Sequence, residues 1–121
     1  MKTCLVVDDS RVIRKVARKI VEDLGFTCEE AQDGQVALDQ CRKSMPDAIL
    51  LDWNMPVMNG MEFLRALRAS PGGNAPIVLF CTTETEMTKI QLAIEAGANE
   101  YNMKPFDSEI VESKLMQVGM L

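Results

Sequence analysis

The sequence predicts an α/β protein with a doubly wound parallel β-sheet, and three observations carry that prediction. Five short strand-like runs alternate with five stretches that have helical periodicity. Three of the runs, Cys4–Val7, Ala48–Leu51 and Ile77–Phe80, are apolar at every position, which is typical of strands covered on both faces. The 121 residues suffice for one domain with its own core. Short, right-handed connections then place helices on both faces of one sheet.

In the first half of the chain, two strands each lead into a helix. The strand Cys4–Val7 is followed by apolar residues at helical spacing from Val12 to Leu24, and Gly25 then supplies a C-cap. Thr27–Glu30 is the second strand. The helix after it, Gln35–Ser44, rests on only three apolar positions, so its pattern is the weakest of the five.

The second half contains three more strands and three more helices. Asn59 and Glu62, three residues apart, match the capping-box pattern at a helix start. Asp107 is a candidate N-cap for the final helix. The predicted elements are, in chain order, strand Ala48–Leu51, a helix from Asn59 to Leu67, strand Ile77–Phe80, a helix through Ile90, Ala93 and Ile94 that ends at Gly97, strand Asn99–Met103, and a last helix that buries Ile110, Val111, Leu115 and Val118.

Composition excludes several classes of function. The chain has no histidine, which removes Ser-His-Asp and Cys-His catalysis. Its net charge of −5 argues against a nucleic-acid-binding surface. The four cysteines form no CxxC pair, so we expect reduced thiols in a cytoplasmic protein. No apolar stretch reaches the length of a membrane helix, and neither a GxGxxG nor a GxxxxGK[ST] motif is present.

Small or charged polar side chains follow four of the five predicted strands. They are Asp8 and Asp9 after the first strand, Asp52 after the third, Thr82 and Thr83 after the fourth, and Lys104 with Pro105 near the end of the fifth. Because the carboxyl ends of parallel strands meet at one edge of a sheet, we expect these groups to converge. Two carboxylates about 4 Å apart repel by roughly 4 kcal/mol at an effective dielectric near 20, which favours a bound cation. Oxygen ligands favour Mg²⁺, with Mn²⁺ as a substitute, and a site of this kind suits acceptance of a phosphoryl group by a carboxylate.

These residues resemble the receiver domain of two-component response regulators. The resemblance runs from Thr3 to about Val118 and includes the segment from Asp52 to Gly60, the Gly97-Ala98 pair and Tyr101. It implies a single receiver domain over residues 1–121, with five helices around a sheet of strand order 2-1-3-4-5. Trp53 directly after the acceptor, and the lack of room for an output domain, resemble the stand-alone chemotaxis regulators of this family.

The resemblance also implies a role for each site residue. Asp52 would accept the phosphoryl group from the phosphohistidine of a partner kinase, with Lys104 paired to the phosphoryl oxygens. Asp9, Asp52 and the Asn54 backbone carbonyl would bind Mg²⁺ directly, and Asp8 would act largely through water. The other implied roles are a switch pair of Thr82 and Tyr101, a cis peptide bond between Lys104 and Pro105, and tuning of the phosphorylated lifetime by Asn54, Thr83 and Glu84.

Two positions depart from the family pattern, and two surfaces suit partners. Thr83 is bulkier than the usual alanine or serine, and Asn102 replaces the usual aliphatic residue after Tyr101, which places the packing behind Tyr101 in question. The first helix carries a basic face that would dock an acidic kinase domain, comprising Arg11, Arg14, Lys15 and Arg18. The segment from Glu86 to Val118 would bind a flagellar motor switch protein or another target.

Together these features predict a monomeric phosphoacceptor switch that is not an enzyme and that acts in chemotaxis and flagellar motor control. A phosphorelay shuttle or a phosphate sink outside motility is the alternative within the same class. A Mg²⁺-dependent phosphatase with an aspartyl-phosphate intermediate is a further alternative, but the chain lacks both a cap domain and a second acid two residues after Asp52.

Overall fold

The computed structural model describes residues 2–82, 87–104 and 107–121, with the backbone alone for Thr82 and Met87. Strands and helices alternate along the chain as predicted. The strands are β1 (Thr3–Val7), β2 (Thr27–Ala31), β3 (Ala48–Asp52), β4 (Ile77–Thr82) and β5 (Glu100–Met103). The helices are α1 (Arg11–Asp23), α2 (Gly34–Lys43), α3 (Gly60–Arg68), α4 (Met87–Glu95) and α5 (Ser108–Gln117). None of the described helices is both long and apolar enough to cross a bilayer.

The sheet is parallel throughout, and its strand order is β2-β1-β3-β4-β5. This confirms both the doubly wound parallel sheet and the strand order that the family resemblance implies. β3 is buried along its whole length, as the unbroken apolar run Ala48–Leu51 predicts. Because all five strands point the same way, Asp8 after β1, Asp52 at the end of β3 and Lys104 after β5 reach the same edge of the sheet.

A separate hydrophobic core covers each face of the sheet. The first core packs α2, α3 and α4 against one face and includes Phe63 and Phe80. The second core packs α1 and α5 against the other face and includes Val21 and Leu115. Since successive strand residues point to opposite faces, Leu50 in the second core places Asp52, two residues later, on the α1–α5 face.

The predicted helix ends are confirmed by their hydrogen bonds. The Asn59 side chain accepts a hydrogen bond from the Glu62 backbone, and the Glu62 side chain accepts one from the Asn59 backbone, so the capping box is complete. Asp107 caps α5 by accepting from the backbone N–H of Ile110 at 2.9 Å. The C-cap of α1 is Leu24, one residue before the predicted Gly25, and Gly25 follows it with φ of +98°, a conformation that glycine adopts without the strain that a side chain brings.

The buried faces of α1 and α5 are narrower than their apolar patterns predict. Ile110 is 40% exposed, so its predicted burial is wrong, and Val118 follows the end of α5 and is only partly buried. Val12 and Val16 of α1 are exposed as well, although their spacing matches that of the buried residues. In both helices the sheet contacts only one narrow stripe, and apolar residues beside that stripe remain in solvent.

Candidate functional site

Three carboxylates converge at the carboxyl ends of β1 and β3. One ligand atom from each of Asp8, Asp9 and Asp52 lies within 4.8 Å of the others. Asp8 and Asp52 are buried, with exposed fractions of 3% and 8%, whereas Asp9 faces solvent. This is the cluster that the sequence predicts at this edge of the sheet.

Lys104 binds both of the buried carboxylates. Its Nζ lies 2.6 Å from Oδ2 of Asp8 and 3.0 Å from Oδ1 of Asp52. Burial alone would lower the pKa of Lys104, but its hydrogen bonds to the two carboxylates outweigh burial, and the pKa is raised. Lys104 therefore stays charged, and the predicted position of Lys104 in the acidic cluster is confirmed.

Opposing interactions act on the pKa of Asp52. Burial, and to a smaller extent the charge of Asp8, raise the pKa of its carboxyl, while the hydrogen bond from Lys104 and a backbone hydrogen bond from Trp53 oppose them. Burial prevails, and the pKa of Asp52 is raised above its ordinary value. A carboxylate in this position gains from any further cation placed beside it.

The turn between β1 and α1 holds Asp8 in place. Oδ1 of Asp8 accepts a hydrogen bond from the Ser10 backbone at 2.9 Å, and the Ser10 hydroxyl caps α1 by accepting from Ile13. Arg14 donates to the Asp8 backbone carbonyl at 2.7 Å. The sequence predicted Arg14 only as part of a docking surface. It did not predict this hydrogen bond, which connects residues six apart and holds the turn in place.

The loop between β3 and α3 closes tightly over Asp52. The Gly60 N–H donates to the Trp53 carbonyl at 2.9 Å, and a Cβ at Gly60 would lie 2.2 Å from the Asp52 backbone oxygen. Close approach, not backbone conformation, requires glycine at this position. Val57 in the same loop has φ of +68° and is 81% exposed, an unusual conformation for a β-branched residue.

The donor set fits a hard divalent cation. The ligands offered by Asp8, Asp9 and Asp52 are all carboxylate oxygens, which Mg²⁺ prefers. The single positive charge of Lys104 faces two buried carboxylates, so a cation is still needed to balance the three acids. Asp9 forms no hydrogen bond or ion pair with any described residue, which leaves its oxygens available as ligands. Asn54 is exposed nearby in the chain, two residues after Asp52.

Tyr101 and Asn102 lie on opposite faces of β5. Tyr101 packs partly against the α2–α3–α4 core, and Nζ of Lys114 lies 5.3 Å from the centroid of its ring. Lys114 is also paired with Glu100 at 3.4 Å. Asn102 is buried on the α1–α5 face, opposite to the face on which Tyr101 packs, and its effect on the switch stays a prediction.

Several predicted site features lie outside the described residues. They are the side chain of Thr82, residues Thr83, Glu84 and Glu86, and Pro105 with its peptide bond to Lys104. The roles assigned to them stay predictions.

Ion pairs divide the basic face predicted on α1. Arg14 and Arg18 both bind Glu30 of β2, at 3.0 Å and 2.6 Å, so they link α1 to the edge of the sheet. Arg11 and Lys15 are exposed and lie beside exposed Val12. The exposed basic surface that remains on α1 is smaller than the sequence pattern predicts and is partly apolar.

Comparison with known proteins identifies the family. The family model described as response regulator receiver domain matches residues 4–116. The chain is 37% identical to chemotaxis protein CheY of Pseudomonas aeruginosa over 115 residues, covering 94% of this chain and 93% of that protein. It is 36% identical to CheY-3 of Vibrio cholerae over 115 residues, covering 94% and 88%.

A solved structure gives the same result for the fold. The crystal structure of chemotaxis response regulator CheY4 of Vibrio cholerae is 38% identical in sequence, with a TM-score of 0.91 and coverage of 98% of each chain. The family match, the identity levels and the shared fold lead to one conclusion: the chain belongs to the response regulator receiver domain family.

Proposed function

We propose that this protein is a chemotaxis response regulator that accepts a phosphoryl group on Asp52 from a partner histidine kinase. The observation that supports this most strongly is the acidic cluster with Lys104 bound to Asp8 and Asp52. The names of its relatives, which are chemotaxis proteins, support the pathway. The chain acts as one receiver domain over residues 1–121 and as a switch, not as an enzyme with a separate substrate.

Phosphoryl transfer requires a carboxylate nucleophile and positive charge around the transferred group. Oδ1 of Asp52 is held by Lys104, and the other carboxylate oxygen attacks phosphorus as the bond to the kinase histidine nitrogen breaks. The released imidazole keeps its electron pair and takes up a proton. Lys104 then turns from the Asp52 carboxylate to the oxygens of the phosphoryl group.

Asp8, Asp9 and Asp52 would hold Mg²⁺, together with the backbone carbonyl of Asn54. When bound, Mg²⁺ neutralises charge on the phosphoryl oxygens. The positive charges of this ion and of Lys104 balance the negative charges of the three carboxylates, so the site can accept the additional negative charge of a phosphoryl group.

Phosphorylation shifts a population of conformations toward an active arrangement of the face formed by α4, β5 and α5. Thr82 would hydrogen-bond the acyl phosphate. Tyr101, which is half-buried next to Phe80 across β4 and β5, would turn inward as part of the same change. A motor switch protein or another target would read this face, with Leu92 and Ile94 of α4 as exposed apolar contacts.

The kinase docks on the surface of α1 next to the site. Arg11 and Lys15 supply positive charge for an acidic partner, and exposed Val12 and Val16 supply apolar contact. The four buried cysteines are free thiols, which supports a reducing, cytoplasmic location. We propose that the protein functions there as a monomer.

Fluorescence of Trp53, the single tryptophan, tests phosphoacceptance. The Trp53 ring lies 5.0 Å from Phe80 and directly follows the acceptor, so it reports changes at the site. Mg²⁺ with a small acyl-phosphate donor should change this fluorescence in the wild type and leave Asp52→Asn unchanged. An equal change in both proteins contradicts the assignment of Asp52.

A pull-down with and without Mg²⁺ and beryllofluoride, a phosphoryl mimic, tests the pathway. Mimic-dependent capture of a motor switch protein supports chemotaxis. Mimic-independent transfer of phosphoryl groups onward to a histidine-containing protein supports a relay or sink instead. Repeated turnover of phosphomonoesters contradicts the proposal that the protein is not an enzyme.

A further inference from the structure

Asn102 places an amide on the face of the sheet that carries the α1–α5 core. The side chain is 4% exposed, and its Nδ2 has no hydrogen-bond partner within the part of the chain that the structure describes. Asn102 pairs with Cys81 of β4 and shares its face of the sheet, and Cys81 belongs to the same hydrophobic core as Val111 and Leu115 of α5. A buried amide hydrogen without an acceptor loses its hydration and gains nothing in exchange, so leucine would be more stable in this arrangement.

Asn102 also lies between two residues of the proposed switch. Tyr101 precedes it and points to the opposite face of β5. Lys104 follows two residues later, on the same face by strand alternation, and binds Asp8 and Asp52. Any shift of β5 that repositions Tyr101 or Lys104 therefore moves Asn102 relative to β4 and α5.

We propose that Asn102 sets the balance between the resting and the phosphorylated arrangements of β5 and α5. This inference rests on the proposed function. In the arrangement described above, the unsatisfied Nδ2 raises the free energy of the protein. Asn102 acts in this way because Nδ2 would gain an acceptor once β5 shifts, which leaves the penalty on the resting arrangement alone. Asn102 thereby increases the active population and the apparent affinity for a phosphoryl group or its mimic by the same factor.

Asn102 is thus a positioning residue, and its test combines two measurements on the full chain. The first is the affinity for beryllofluoride in the presence of Mg²⁺, followed by Trp53 fluorescence, and the second is urea unfolding with and without the mimic. Asn102→Leu and Asn102→Val should each weaken beryllofluoride binding roughly tenfold, the size expected for one unsatisfied buried amide. Both variants should be more stable than the wild type without the mimic, and this difference should shrink at saturating beryllofluoride.

Gln40→Met is the matched control. Oε1 of Gln40 is also buried without a partner among the described residues, but Gln40 lies on α2, which packs on the opposite face of the sheet. This variant should change stability without changing beryllofluoride affinity. A purely structural defect, or a water bound to Asn102 in both arrangements, predicts unchanged beryllofluoride affinity for Asn102→Leu, and that result overturns the inference. A wild type that fails to respond to beryllofluoride overturns the proposed function as well, so the two failures are distinguishable.

Discussion

Replacing Lys104 with methionine tests the electrostatics of the site, because methionine keeps most of the volume and removes the charge. At an effective dielectric near 20, each of the two contacts, at 2.6 Å and 3.0 Å, is worth roughly 6 kcal/mol of gross attraction. The net loss is smaller because Asp52 can take up a proton instead. Protonating an aspartate of ordinary pKa costs about 4 kcal/mol at pH 7 and about 1.5 kcal/mol at pH 5. These costs limit the destabilisation at each pH.

We therefore expect Lys104→Met to lower the free energy of unfolding by about 3–4 kcal/mol at pH 7 and by about 1.5 kcal/mol at pH 5. The sign follows from the pKa of Asp52, which burial already raises and which rises further without Lys104, so the variant recovers stability relative to the wild type as the pH falls.

Urea unfolding at both pH values, with and without Mg²⁺, measures these effects. Mg²⁺ should stabilise Lys104→Met more than the wild type, since the cation that opposes its binding is gone. Lys19→Met is the control, because the ion pair of Lys19 with Asp23, at 3.6 Å, is exposed, so its loss should change stability little at either pH. An equal loss for Lys104→Met at pH 7 and pH 5 would show that protonation of Asp52 does not limit the effect of removing the Lys104 charge.

Three further predictions concern packing, backbone strain and thiol reactivity. Gly60→Ala should lower the free energy of unfolding, measured in urea, by about 3 kcal/mol, because the new Cβ would meet the Asp52 backbone oxygen. In the control Gly25→Ala, the new Cβ meets no atom within 4 Å, so the loss should be about 1 kcal/mol from the positive φ alone. Similar losses in the two variants would contradict the close approach at Gly60. Val57→Asn should raise stability by about 1 kcal/mol, since asparagine tolerates positive φ better, and an unchanged midpoint argues against strain at that residue. Burial raises the pKa of Cys28 to about 11, so its thiol should react with a disulfide reagent at pH 8 far more slowly in the native protein than in urea, and equal rates contradict its protection.

The sequence predicted the order of elements because the local signals agree with one another. The apolar run Ala48–Leu51 matches β3 to within one residue, since a strand buried on both faces leaves no polar position inside it. The capping box at Asn59 is a local feature and is readable without tertiary contacts. β5 begins at Glu100, one residue later than predicted, because the Asn99 side chain instead accepts from the Val78 backbone, 21 residues away.

The sequence predicted which residues form the site, but not the contacts that these residues make. Asp8, Asp52 and Lys104 each end or follow a strand, and parallel topology alone brings them to one edge of the sheet. The ion pairs of Arg14 and Arg18 with Glu30 depend on how α1 lies against β2, and no local pattern specifies that packing. The burial of Asn102 depends similarly on how α5 covers β5, and the position of a strand at the sheet edge does not reveal it.

We propose that Asp52 accepts the phosphoryl group with help from Lys104 and a divalent cation. The most direct test of this proposal is intact-mass spectrometry of the wild type and Asp52→Asn after incubation with Mg²⁺ and an acyl-phosphate donor, followed by mapping of the modified residue. We expect one added phosphoryl group on the wild type, located on Asp52, lost when Mg²⁺ is chelated and absent from Asp52→Asn. No gain on the wild type, or the same gain on Asp52→Asn, would contradict it.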